Sequence, residues 1–296
     1  MIIKNYRKLS STEWIDTKNG KKFSHNQFAG SRFGKDHFYL SDESITERLK
    51  IFKKNQNLSK FKHNNIFGQV DLFYKQEQIS LAGKKVLVVG GGPSTNLINW
   101  KNVPHDFSFA CNNFYKNQEL KNKKFDFVSF APFMDLTDCN EQLREYLQKN
   151  SPIVGIEPEH SKSQEIKQLE HFLNTHSENS LIYQTKYCSA IGMSTRQAVL
   201  AGLLGAEEVY MVGLDLFDDN TVEHAYEKKK EMPRWRLRYG REFQERQVII
   251  FWDYLNNLAT DLGCKFYNLS EGVSQNHMSF ASKHFSPLPN SLKKVL

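Results

Sequence analysis

The stretch Lys84 to Thr95, KKVLVVGGGPST, decides how the rest of the chain is read. Four apolar residues, Val86 to Val89, run directly into Gly90, Gly91 and Gly92, then Pro93 and Ser94. A fully apolar run of stiff residues reads as a strand buried on both faces. Glycines directly behind it allow positive φ and leave no Cβ between main chain and ligand. Pro93 suits the first position of a helix, and Ser94 or Thr95 its start, where free N–H groups favour a phosphate. The stretch therefore reads as a strand, a phosphate or nucleotide cradle and a helix start; a plain tight turn is the alternative. It is neither GxGxxG, which needs glycine at Thr95, nor the GxxxxGK[ST] loop.

The same alternation continues downstream. Strand-like runs recur at FDFVSFA (125–131), SPIVGIEP (151–158), SLIYQT (180–185), EEVYMVGLDLF (207–217) and CKFYNLS (264–270). Helical patterns lie between them: TDCNEQLREYLQKN, SQEIKQLEHFLNTH, STRQAVLAGLLGA and ERQVIIFWDYLNNLATDLG. Strands alternating with helices of this length predict βαβ units. The expected fold class is α/β, a Rossmann-like, mostly parallel sheet flanked by helices over 81–296, with a lid-like insertion near 218–245. Residues 1–80 read as an N-terminal extension or small subdomain, aromatic and polar, with one amphipathic helix expected after Ser41 and Asp42.

Bulk properties narrow the function classes. The 296 residues carry 40 basic and 33 acidic side chains, a net charge of +7. Lysine is scattered through the chain, and the one dense basic block runs from Lys228 to Arg246. This balance does not call for nucleic acid and leaves peripheral contact with a membrane open. Cys111, Cys139, Cys188 and Cys264 show no CxxC spacing and read as reduced thiols of a cytoplasmic protein. No apolar run approaches the ~20 residues of a spanning helix, and the opening MIIKNYRKLSSTEW has no signal-peptide core.

Three further segments carry candidate ligand groups. In FACNNFYKNQEL, Asn112 and Asn113 offer donors and an acceptor suited to a base edge or a ribose hydroxyl, or serve as turn formers. Gly192, Ser194 and Thr195 suggest a second anion-binding helix start, or a simple N-cap. The strand ending Gly213-Leu214-Asp215 brings a carboxylate to the same sheet edge.

Taken together, VVGGGPST, ACNNFY, AIGMST and GLLGAEEVYMVGLDLF resemble the bacterial sialyltransferases of lipooligosaccharide synthesis. That family carries GNGPS, an RCNQFY-like segment, a TSG turn and an ALGYKEIYLSGIDFY-like helix and strand, in that order. The resemblance spans roughly Lys84 to Phe217. It extends to the motility accessory factors that glycosylate flagellin and to the archaeal 6-hydroxymethylpterin diphosphokinases. It implies that Gly90, Gly92, Pro93, Ser94 and Asn112 line a CMP-sugar donor pocket. It further implies that Gly192 and Ser194 hold the donor's phosphate or carboxylate, and that Asp215 sits at the nucleotide end of the sheet. The family needs no divalent metal; tyrosines act on the leaving phosphate and a histidine is the base. Two departures are plain: the asparagine of GNGPS is Gly91 here, and RLRYGREFQERQ has no histidine where the family keeps its base.

The segment after Asp215 supplies the candidates for chemistry. His224 is the available base, with Glu223 beside it, or else an exposed loop histidine. Arg234, Arg236, Arg238 and Arg241, with Lys228 to Lys230, could steady a leaving phosphate, as could Tyr226 or Tyr239. Ser270, Glu271 and Gly272 end another strand near the pocket, and His277 reads as a surface residue. No HExxH or Cys/His cluster predicts a metal. Asp215, Asp218 and Asp219 would hold Mg²⁺ only if the chain were a diphosphokinase, and a capping role is the alternative. No GxSxG points to acyl transfer. The expected activity is inverting transfer of a sialic or related nonulosonic acid from a CMP-activated donor to a glycan or protein, with no cofactor required. A pterin diphosphokinase using Mg²⁺ and ATP, or an inactive nucleotide-binding protein, are the alternatives. A homo-oligomer and a site of work at the inner membrane face complete the expectations.

Overall fold

The computed structural model describes residues 2–24, 27–28, 61–66, 70–74, 79–130, 141–157, 179–185, 187, 191–216, 224–226 and 234–296; of 234–239 and of Asp71 it describes the backbone alone. The helices expected after Ser41 and over 163–176 lie outside these residues, as do Cys139 and Cys188.

Two sheets form among the described residues. The smaller is an antiparallel meander of β1 (Ile2–Ile3), β2 (Tyr6–Ser10), β3 (Glu13–Asp16) and β4 (Lys22–Ser24). The larger has nine strands: β5 (Lys62–Ile66), β6 (Val70–Tyr74), β7 (Lys85–Val89), β8 (Phe107–Cys111), β9 (Phe127–Phe130), β10 (Ile153–Ile156), β11 (Ser180–Thr185), β12 (Glu208–Val212) and β13 (Lys265–Asn268). Their spatial order is β13-β12-β7-β8-β9-β10-β11-β6-β5. The run from β13 to β11 is parallel throughout; the hairpin β5–β6 adds antiparallel to β11. The main sheet therefore draws two strands from residues assigned by sequence to the extension.

The chain enters the parallel sheet at β7, walks outward to β11, then returns to the other flank of β7 with β12 and β13. Strand order reverses between β7 and β12. The connections from those two strands run to opposite flanks, from β7 to β8 and from β12 to β13, and such a switch point is where open α/β sheets accept ligands.

Why these segments form these elements follows from burial. Val86 and Val88 pack on one face of the sheet and Leu87 and Val89 on the other, all fully buried. A strand covered on both sides needs no polar alternation, so its text is continuous. Helix α1 (Glu141–Asn150) buries Leu143, Tyr146 and Leu147 on one side. Helix α2 (Met193–Leu203) is buried at every position: its second half, Ala198–Leu203, is small and apolar, and its first half carries Arg196 and Gln197, which bond to Glu157, Ala110 O and Ser129. Gly202 is needed there because a Cβ would meet the Phe266 ring at 2.7 Å.

Helix α3 (Arg234–Leu262) lays Val248, Phe251, Trp252 and Leu255 into the same core as α2. Each such side chain contributes about 1.5–3 kcal/mol by leaving water. Gly240, at φ 72° and ψ 173°, breaks α3 near its start. The expected lid-like insertion of 218–245 is thus helical from Arg234 onward. Two short helices, α4 (Ser279–Ser282) and α5 (Asn290–Lys293), close the chain.

The small sheet rests on α3. Lys8, Trp14 and Phe23 form one inward row. Lys8 Nζ pairs with Asp253 at 2.6 Å, Lys4 pairs with Glu245, and Trp14 stacks on Phe28 at 4.4 Å. No helix among the described residues is long and apolar enough to cross a membrane.

Candidate functional site

The loops that leave β7 and β12 are laced together. Gly90 N–H donates to Val212 O at 2.7 Å, and Gly92 N–H to Gly213 O at 2.9 Å. Thr95 Oγ1 donates to Gly90 O at 2.9 Å, and Gly213 N–H to Ser94 Oγ at 3.2 Å. Ser94 N–H donates to Asp215 Oδ2 at 2.8 Å, while Ser270 Oγ and Ser94 Oγ are 2.8 Å apart. A Cβ on Gly90 would drive into the Gly213 carbonyl, and one on Gly92 into the Asp215 carboxylate and, at 2.8 Å, the Gly213 oxygen.

This corrects the reason given for the glycines. None of Gly90, Gly91 and Gly92 has positive φ; that conformation falls to Gly213, at 69°. Gly90 and Gly92 are small so that two loops can touch, and their N–H groups are already satisfied by β12. Gly91 alone turns its Cβ position toward His224, 3.1 Å from Cδ2.

The expected helix start at Pro93 is also corrected. Pro93–Asn96 is a single 3-10 turn, with Pro93 in its first position. It does not propagate because the Trp100 indole N–H takes the Thr95 carbonyl at 2.8 Å and Asn99 N–H goes to Leu296 O at 3.3 Å. Four residues carry little dipole.

The helix terminus at the cleft belongs to α2. Gly192 caps it at φ 119° and ψ 168°, with open space where a Cβ would stand. Thr195 Oγ1 donates to Gly192 O at 2.7 Å. First-turn N–H groups have no partner within their own helix, so this end attracts anions. An ion pair holds α2 from below: Arg196 Nη1 lies 3.4 Å from Glu157 Oε2, both buried, and Thr185 Oγ1 donates to Glu157 Oε1 at 3.1 Å. Glu157 follows β10 and Thr185 ends β11, so the first turn of α2 is tied to the sheet.

Between these parts lies an open cleft with a volume of ≈ 110 Å³. Its walls are Gly91 and Gly92 after β7, Cys111 to Phe114 after β8, Ile191 to Ser194 at α2, Gly213 to Asp215 after β12, and His224 with Tyr226. Asn112 takes a left-handed turn, φ 52°, and its N–H donates to Ser129 O at 2.9 Å. Residues 224–226 strap the mouth: Ala225 N–H donates to Gly91 O at 2.8 Å, and Asn96 Nδ2 to Ala225 O at 3.4 Å. The His224 and Tyr226 rings stack at 5.1 Å, and Asn113 Nδ2 donates to Tyr226 Oη at 3.4 Å.

Two titratable groups in the cleft are shifted. Burial pushes the Asp215 carboxyl up to about 6, against the opposing pull of the Ser94 N–H and hydroxyl. Its Oδ1 is buried and has no hydrogen-bond partner among the described residues. Burial pushes the Cys111 thiol up to about 12, partly offset by Ser194.

The structure thus gathers Gly91, Gly92, Asn112, Asn113, Gly192, Ser194, Gly213, Asp215 and His224 around one cleft. Ser94 and Ser270 lie beneath it, fully buried, tying its floor together, with Gly90 and Pro93 in the same loop. Arg234 and Tyr239 belong to α3, and their side chains are outside the described residues. Arg241 is turned to Glu245, Nε to Oε1 3.1 Å. Glu223, Lys228 to Lys230, Asp218 and Asp219 fall outside the described residues, among which no three His, Cys, Asp or Glu side chains cluster as a metal site. Cys111, Ile191 and Met193 were missed by the sequence reading, since apolar residues at strand and helix ends carry no chemical signature.

With that geometry in hand, comparison with solved structures is informative about the fold. The monofunctional alpha-2,3-sialyltransferase Cst-I from Campylobacter jejuni superposes with a TM-score of 0.50 at 16% identity, covering 73% of this chain and 85% of its own. The chain shares its fold with that structure. The sialyltransferase CstII from Campylobacter jejuni in complex with a substrate analogue, cytidine-5'-monophosphate, gives 0.48 at 18% identity over 71% and 87% of the two chains. CST-II with trisaccharide acceptor and CMP gives 0.46 at 19% over 70% and 87%. No protein-family model matches the chain, and no curated protein matches it significantly. These comparisons lend no support to the motility accessory factor group.

Proposed function

We propose that this chain is a sialyltransferase-like glycosyltransferase that moves a sialic or related nonulosonic acid from a CMP-activated donor to a glycan or protein acceptor. One observation carries the reading: on a fold shared with Cst-I, the switch-point cleft joins the N-terminus of α2, the Asp215 carboxylate and the His224 imidazole. CMP as the nucleotide rests on the four motif segments, each of which contributes to the cleft or its floor.

The chemistry is a direct displacement with inversion. His224 takes the proton of the acceptor hydroxyl as its oxygen bonds to the anomeric carbon. The bond from that carbon to the phosphate oxygen breaks, and CMP leaves with the electron pair. The charge growing on the phosphate is met by the α2 first turn and by hydroxyl or guanidinium donors, for which Tyr226, Tyr239 and Arg234 are the candidates. Asp215 Oδ1 accepts a hydrogen bond from the nucleoside portion. No step needs a metal or other cofactor.

The test is calorimetric titration with CMP in chelator, followed by turnover of CMP-activated sialic acid. Binding without metal and transfer to an acceptor support the proposal. Binding without turnover of any CMP-sugar would make the chain a nucleotide-binding protein, and stabilisation only by ATP with Mg²⁺ would make it a diphosphokinase. His224→Ala is expected to lower kcat at least about 100-fold, with the Kd for CMP within about twofold. Undiminished turnover would remove His224 from the role.

A further inference from the structure

The small N-terminal sheet has one face committed to α3 and one face turned outward. Strand pairing puts Ile2 opposite Arg7, Arg7 opposite Ile15, and Ile15 opposite Lys22. Directly paired residues share a face, so these four form one row across all four strands. The neighbouring row, Lys8–Trp14–Phe23, points the other way, into α3. Leu9 sits at the register shift between Lys8 and Ser10 and is exposed beside this row.

That outer face is unusual in composition. Ile2 is 55% exposed and Leu9 39%, two of the four large exposed hydrophobics among the described residues. Arg7 and Lys22 are exposed between and beside them, and Lys18 and Lys21 are exposed in the turn joining β3 to β4. Two acids are near: Glu13 lies 4.0 Å from Lys22, and Asp16 accepts from Lys18 N–H and Asn19 Nδ2 at the turn. The remaining basic residues of this sheet, Lys4 and Lys8, are drawn inward by Glu245 and Asp253. Sequestering them leaves the outer face apolar and cationic together.

We infer that this face is where the protein rests on an anionic lipid bilayer. The charge complementarity is with phosphodiester headgroups. Alternating apolar and cationic side chains in a flat row can lower the apolar ones to the acyl boundary while the long cationic ones reach headgroup phosphates. Each lysine or arginine near such a surface adds about 1 kcal/mol of attraction. An acidic protein would be met by the charges and would leave Ile2 and Leu9 without a reason.

The experiment is co-sedimentation of the full chain with vesicles of phosphatidylcholine alone, or with about a third phosphatidylglycerol. Binding to the anionic vesicles and not to the neutral ones is expected. The double variant Arg7→Glu/Lys22→Glu should weaken it at least about tenfold, and Ile2→Ser/Leu9→Ser should weaken it several-fold at about the same charge. Lys121→Glu/Lys124→Glu, exposed elsewhere on the molecule, is the charge-matched control. Unfolding midpoints establish that each variant is folded, and Arg7→Gln/Lys22→Gln replaces the reversal if it is not. Absence of binding to anionic vesicles, equal binding to neutral ones, or equal loss in the control variant would each overturn the assignment.

Discussion

Gly213 and Gly192 show how differently one residue type serves this cleft. Gly213 has φ 69°, and a Cβ there would collide with Thr95 Oγ1 and with Gly90 O at 2.6 Å. Gly213→Ala is expected to cost about 3 kcal/mol, read as a lowered urea midpoint, from backbone strain and overpacking together. Gly192→Ala has strain without collision and should cost about 1–2 kcal/mol. Its methyl would stand in the space facing the cleft, so it should also weaken CMP binding. Asp215 gives a pH signature. Its folded pKa is raised to about 6 from an ordinary 3.8, so its neutral form fits the fold and ionisation is penalised. That penalty is absent below the unfolded value, grows between about 4 and 6, and reaches about 3 kcal/mol above. Asp215→Asn should therefore be more stable than the parent at pH 8, with the two converging near pH 4 in urea titrations. The sequence marked Asp215 and His224 by type and position. It could not reveal that Gly90 and Gly92 answer to the β12 loop, because their neighbour lies about 120 residues away.

At the level of the element, α2 and its support matter most. A cation buried within the first turn of a helix works against the dipole of that helix, and Glu157 offsets it. Removing that carboxylate by Glu157→Gln should destabilise the protein by about 3–5 kcal/mol, whereas Glu157→Leu with Arg196→Met should recover most of the loss. A double-mutant cycle on unfolding midpoints checks this. Strands β7, β9, β10, β11 and β12 were legible because burial on both faces leaves largely apolar text, and edge strand β13 from its adjacent aromatics Phe266 and Tyr267. Strand β8 was not read as one: in FSFAC the polar Ser108 is buried only because Asp126, at the head of the next strand, accepts from its N–H and hydroxyl. The β5–β6 hairpin also escaped, since KHNNI reads as loop until its partner strand is known. The turn at Pro93 was misjudged as a helix because Trp100 and Leu296, which stop it, act through tertiary contacts.

Over the whole molecule, the switch between β7 and β12 is what brings four sequence-distant segments to one place. If the cleft binds CMP, hydrogen exchange should slow at 90–95, 192–195 and 213–215 on adding the nucleotide, and stay unchanged in the β5–β6 hairpin. Protection spread evenly over the sheet would instead indicate general stabilisation. The order of those segments was legible from the start of β7. What could not be read was the small sheet, since its strands are held by α3 through pairs 241 and 245 residues apart, rather than by a pattern of their own.

The closeness of His224 to Gly91 links two positions that would otherwise vary independently. A side chain at 91 and a ring at 224 compete for the same volume, so a homologue with asparagine at the former should carry a smaller residue at the latter, and the two sites should change together over evolutionary time.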